Sequence, residues 1–190
     1  MRVLFALLFA AIVVFGSGCG NSSTPKSEPK APKGPVTSKL NAEGTQKLMA
    51  VMTAYYGLKN ALVATNAAQT TAANKQLLSS AEAMQAFLQT DSINKVVLQP
   101  YMDTIVTQSK VIEAESDPKC ERQRLAFSPL SDNVFALLKH VDIKNAGVYK
   151  QFCPMAFNDK GAYWLSEESE IKNPYFGKKM LECGEVQDSL

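Results

Sequence analysis

Four sulfur-bearing residues lie at short spacing near the end of the chain. Cys153 and Met155 flank Pro154, and Met180 and Cys183 bracket Leu181-Glu182. Two thiols and two thioethers form a soft donor set of the kind that suits Cu(I) or Ag(I). Pro154 stiffens the first pair, and a helical turn over Met180–Cys183 would put the second pair on one face. A fold that brings the pairs together would supply two to four soft ligands. The same residues have a plainer reading. Outside the cytoplasm thiols tend to be oxidised, so Cys153 and Cys183 would form a disulfide, with Met155 and Met180 as adaptable core filler. Closing that loop stabilises a fold by roughly 3 kcal/mol. The two readings also combine, with the oxidised pair as the apo state and the reduced pair as the metal-competent one.

The other candidates are weaker. Cys120 reads as a small buried residue in the first turn of a helix, or else as a partner for one tail cysteine. His140 is the single histidine. Its place near a helix C-terminus fits a cap or surface role, and one histidine leaves no Cys₂His₂ zinc pattern. A Cys153/His140 nucleophile pair lacks any orienting group, and no Gly-rich phosphate loop is present. The chain therefore reads as a non-enzyme. Glu167, Glu168 and Glu170 read as a solvated charged face. Trp164, Tyr163, Tyr175 and Phe176 read as the packing of the tail on a scaffold.

The start of the chain reads as an address. Met1-Arg2 precedes the apolar run Val3 to Phe15, and Gly16-Ser17-Gly18 lead to Cys19. The run is too short to span a bilayer and ends in small residues, so residues 1–18 read as a signal peptide. Cys19 is then the expected lipid-attachment site of a bacterial lipoprotein, although Gly16 replaces the usual leucine. The mature protein would sit in the cell envelope, lipid-anchored on the periplasmic or outer side of a membrane. Residues 19–39, rich in Ser, Pro and Lys, read as a disordered tether. From Leu40 onward there are 15 basic and 17 acidic residues, a net charge of −2. That balance gives no case for nucleic acid.

Residues 40–190 suit one domain. Leu48, Val51, Met52, Tyr55, Leu58 and Leu62 recur at helical spacing. So do Leu77, Ala81, Met84 and Leu88, then Leu98, Met102, Ile105 and Ile112. Pro100 fits the first turn of the third helix. Asp117-Pro118 reads as N-cap and first position of a fourth helix through Phe127, Leu130, Val134, Leu137 and Val141. Proline at 129 should bend it. Short polar links at Thr65-Asn66, Thr90-Asp91 and Ser116-Asp117 predict an all-α fold, an antiparallel bundle of about four helices. In the tail, residues 147–190, Val148–Cys153 and Ala162–Leu165 flank Asn158-Asp159-Lys160-Gly161 and predict a small hairpin docked on the bundle. Asn173-Pro174 and Gly177 turn the chain back toward Met180.

Several stretches resemble a known family. They are Val148 to Phe157, Lys160 to Ser166, Ile171 to Gly177 and Met180 to Gly184, together with Leu58 to Val63 and Gln123-Arg124 followed by Phe127 and Leu130-Ser131. Together they closely resemble the family catalogued as domain of unknown function 3347, over nearly all of the chain after the tether. The resemblance implies a secreted or lipid-anchored helical domain. A related domain is joined to periplasmic adaptor subunits of copper/silver efflux pumps, which implies heavy-metal handling with Cys153, Met155, Met180 and Cys183 as motif positions. Relatives often carry a histidine near the start of the third helix, where this chain has Leu98 to Met102. The expected function is an envelope lipoprotein that binds Cu(I) or Ag(I) for buffering or hand-off to an efflux adaptor protein. The alternative is a non-catalytic structural or partner-binding domain stapled by Cys153–Cys183.

Overall fold

The computed structural model describes residues 34–190. Residues 1–18, read as a signal peptide, the expected lipid-attachment residue Cys19 and most of the expected tether lie outside the described residues. Four long helices follow one another: α1 (Ala42–Ala64), α2 (Ala67–Leu88), α3 (Ser92–Ala114) and α4 (Glu121–His140). Each of the first three starts on a side-chain cap that satisfies an orphan backbone N–H. Asn41 accepts from the Gly44 amide at 2.8 Å, Asn66 from Gln69 at 3.0 Å and Asp91 from Asn94 at 3.2 Å. Links this short force neighbours to run antiparallel. The predicted apolar stripes are the ones that are buried, and they meet in one continuous core.

Two helix starts differ from expectation. Pro100 lies in the interior of α3, because capping by Asp91 starts that helix at Ser92. The helix α4 starts after Cys120, not at Pro118. Cys120 takes a left-handed conformation (φ 57°) at the N-cap position. Asp117 still does the capping, from a turn further back: its carboxylate accepts from the amides of Lys119, Glu121 and Arg122. Cys120 is buried in the core, and its sulfur bonds to the Thr70 hydroxyl at 3.7 Å.

The fold is not all-α. After α4 the chain forms β1 (Tyr149–Cys153), β2 (Ala162–Ser166) and β3 (Glu185–Ser189), an antiparallel sheet in the order β2-β1-β3. The expected hairpin is β1–β2, with Cys153 opposite Ala162 and Tyr149 opposite Ser166. The third strand occupies the other edge of β1 and was not anticipated. Its five residues are all exposed and show no alternation of apolar and polar types, so backbone pairing alone defines it. Before α1, Thr37 bridges Lys144, and Lys39 donates to the Val141 carbonyl at 2.7 Å. The last residues read as tether thus lie along the exit of α4. Among the described residues no helix is long and apolar enough to cross a membrane.

Candidate functional site

The tail is seated on the seam between α1 and α4 by buried polar side chains. Tyr55 of α1 is fully buried, stacks on Phe127 of α4 (5.2 Å between centroids) and shares a hydrogen bond with Ser131. Its hydroxyl also accepts from the Leu165 amide of β2 at 3.0 Å. Lys59 donates to Ser166 and pairs with Glu167 at 3.0 Å, while Asn60 donates to the other Glu167 oxygen. The acidic run is therefore not simply a solvated face. Glu167 is the ionic partner of a buried lysine, and Glu168 and Glu170 both hold Lys172. Arg124 does most to join the parts. It donates to the carbonyls of Leu62 (2.8 Å), Pro174 (2.7 Å) and Lys119, and to the Thr65 hydroxyl.

This seating brings two of the four sulfur residues together. Cys153 ends β1, Cys183 precedes β3, and their sulfur atoms lie 2.6 Å apart. Cys153 is fully buried, while Cys183 is partly exposed and forms the accessible side of the pair. Met155 is 46% exposed. Met180 starts the turn whose carbonyl accepts from the Cys183 amide at 3.2 Å. Neither methionine is core filler: Met155 is exposed and Met180 only partly buried. Among the described residues no group of three or more His, Cys, Asp or Glu could hold a metal. An ion at this pair would rely on thioethers for further ligands. His140 is elsewhere, bonded to the Tyr101 hydroxyl at 2.6 Å.

The supports of the pair were not legible as site residues. Asn173 is buried; its amide donates to the Cys183 carbonyl at 2.8 Å, and its oxygen accepts from the amides of Tyr175 and Phe176. Gln151, buried in the middle of β1, donates to the carbonyls of Glu168, Ser169 and Glu170 and so pins the loop after β2. Gly184 has a φ of +147°, and a Cβ there would meet the Trp164 ring at 2.7 Å and the Phe152 carbonyl at 2.8 Å. Only glycine lets the chain pass this close to the indole on its way into β3. The signal in the sequence was merely the polarity of Asn173 and the position of Gly184 beside a cysteine.

Burial pushes the Cys183 thiol up to about 11, and the adjoining Cys153 sulfur adds to the shift. The unfolded thiol titrates near 9.0, so the folded state holds this proton more tightly. Reduced protein keeps that stabilisation below pH 9 and loses it as pH rises through about 11. Alkylation of Cys183 by iodoacetamide should accordingly be slow at pH 8 and climb about tenfold per pH unit to well above 9. A rate that levels off near pH 9 would show that Cys183 does not sense its surroundings in this way.

The family model described as "Protein of unknown function (DUF3347)" matches residues 51–146. No curated protein and no solved structure matches. The matched span holds Lys59, Asn60, Arg124, Phe127 and Ser131, the residues that seat the tail, and stops before the sulfur pair. With half of its length matched, the chain belongs to the family of proteins of unknown function DUF3347.

Proposed function

We propose that this protein is an envelope lipoprotein whose C-terminal sheet captures Cu(I) or Ag(I) and either buffers the ion or passes it to an efflux adaptor. The observation that carries this reading is the convergence of the Cys153 and Cys183 sulfurs from opposite ends of the tail. Cys183, half-exposed beside the exposed Met155, is the entry ligand, and Cys153 is the buried one. Metal–thiolate bonds of roughly 2.3 Å put two sulfurs that flank one ion about 4 Å apart or more. Loading therefore requires the pair to rotate open from 2.6 Å. It also displaces the firmly held Cys183 proton, so affinity rises with pH.

A second reading is favoured by that same short separation. In an oxidising compartment the pair closes as a disulfide, and the protein is a non-catalytic structural or partner-binding domain. The two states exclude each other at one site, which makes redox state the gate of metal capture.

Competition of reduced protein against a chromogenic Cu(I) chelator tests the metal reading. One equivalent of Cu(I) should be withdrawn from the chelator. Cys153→Ser should abolish the withdrawal, and Met155→Leu should weaken it by about tenfold, the loss of one of few soft ligands. An unchanged chelator signal with wild-type protein, or binding that survives Cys153→Ser, would leave only the stapled domain.

A further inference from the structure

A second feature is independent of the sulfur pair. Where the C-terminus of α1, the N-terminus of α4 and the tail meet, the surface opens into a cleft of about 810 Å³. That is within the range of clefts that hold single small molecules. Its floor is aromatic, made by Phe157, Tyr175 and Phe176, and Leu125 stands at its side 60% exposed to water. An aliphatic side chain left so exposed beside three rings is unpartnered apolar surface. The rim carries Lys119, Lys178 and Lys179, all exposed, none of them in an ion pair among the described residues. Arg122 adds positive charge but is held by Glu115, and Glu121 is the single carboxylate in the lining. Arg124 reaches the cleft, but four of its five N–H donors are committed to protein acceptors.

The wall is built at a conformational cost. Phe157, Asn158 and Asp159 are consecutively left-handed, with φ of 54°, 58° and 62°. For a bulky residue such as Phe157 this is an outlier of the kind that persists where surrounding contacts over-determine it, often at ligand sites. Here it presents the Phe157 ring edge-on to Tyr175 at 5.2 Å, completing the floor.

We propose that this cleft binds one anionic amphiphile, with a carboxylate or phosphate headgroup on Lys119, Lys178 and Lys179 and an acyl or aromatic body on the floor of Phe157, Tyr175 and Phe176. Charge complementarity selects the headgroup. The recess selects a single molecule over a bilayer, since Tyr175 lies beneath the surface where a flat membrane does not reach. The three lysines act as point charges that accept either headgroup geometry.

The full chain titrated with decanoate, below its micellar concentration and followed by calorimetry, tests this. Saturable one-to-one binding is expected, with decanol at least about tenfold weaker because it lacks the charge. Lys178→Glu with Lys179→Glu should weaken decanoate by about tenfold and leave decanol unaltered, whereas Leu125→Asp should weaken both. All three positions are exposed, so each variant is expected to keep the wild-type urea midpoint. Equal affinity for decanoate and decanol overturns the proposal, as does indifference to the paired lysine reversal. Binding to phosphatidylglycerol vesicles but not to monomeric decanoate overturns it in favour of a membrane-facing surface.

Discussion

Arg124→Met is expected to destabilise the protein by about 3 to 5 kcal/mol and to release the tail before the helices. The guanidinium supplies donors to three backbone carbonyls that belong to different parts of the chain: Leu62 at the end of α1, Lys119 before α4, and Pro174 in the tail. Methionine fills a similar volume but donates nothing, so the Lys119 and Pro174 carbonyls lose their partner, while the Leu62 carbonyl keeps the Thr65 amide at 3.0 Å. An orphaned buried acceptor costs about 1 to 3 kcal/mol, and some of that is recovered as water enters the loosened seam. Arg124→Lys should recover only part of the loss, because one ammonium cannot reproduce a planar fork aimed at separate acceptors. Urea midpoints give the magnitude. Amide exchange gives the place: residues 173–185 should lose protection while the interior of α2 keeps it. A loss under 1 kcal/mol, or uniform loss of protection, would mean that Arg124 does not join tail to bundle.

That prediction reaches the sulfur pair through a short chain of contacts. Arg124 holds the Pro174 carbonyl, Asn173 precedes Pro174, and Asn173 holds the Cys183 carbonyl. The position of Cys183 is thus set from the bundle, over a path that starts inside the span matched by the family model. The helical residues that carried the family resemblance are largely the ones that seat the tail. Lys59 and Asn60 hold Glu167, and Phe127 packs between Tyr55 and Tyr175.

Helix stripes were legible because a 3.6-residue period leaves a trace in residue type wherever one face is buried. Leu77, Ala81, Met84 and Leu88 are all fully buried, as their spacing required. Capping was legible as chemistry but not as position. Asp117 does cap α4, yet its carboxylate acts across a turn that ends in left-handed Cys120, a conformation that residue type does not announce. The strand β3 was illegible for a physical reason: Glu185, Val186, Gln187, Asp188 and Ser189 all face water, so no burial pattern exists to be read. The cysteine pair was legible as a pair because thiols are few. Which groups orient it was not, since Asn173 and Gln151 look like ordinary polar loop and strand residues until their partners are known.

Removal of the second thiol, Cys183→Ser, should destabilise the oxidised protein by about 3 to 4 kcal/mol, nearly all of it in the tail. The two cysteines are 30 positions apart, and an unfolded chain closed over such a loop loses conformational freedom worth about that much. Serine at this half-exposed position adds little penalty of its own, whereas Cys153→Ser would also bury a hydroxyl. Amides of β1 and β3 should exchange faster by a factor on the order of 10² to 10³, and dithiothreitol should reproduce the effect in wild-type protein but add nothing in the variant. The same measurement separates a staple from a metal site. Ligand that binds only the folded state stabilises it in proportion to the logarithm of its concentration over Kd. Cu(I) added to reduced wild-type protein should therefore restore slow exchange at β1 and β3, and should fail to do so in Cys183→Ser. Restoration by oxidation alone, with none by Cu(I), would identify the pair as a staple and leave the methionines beside it without a metal to bind.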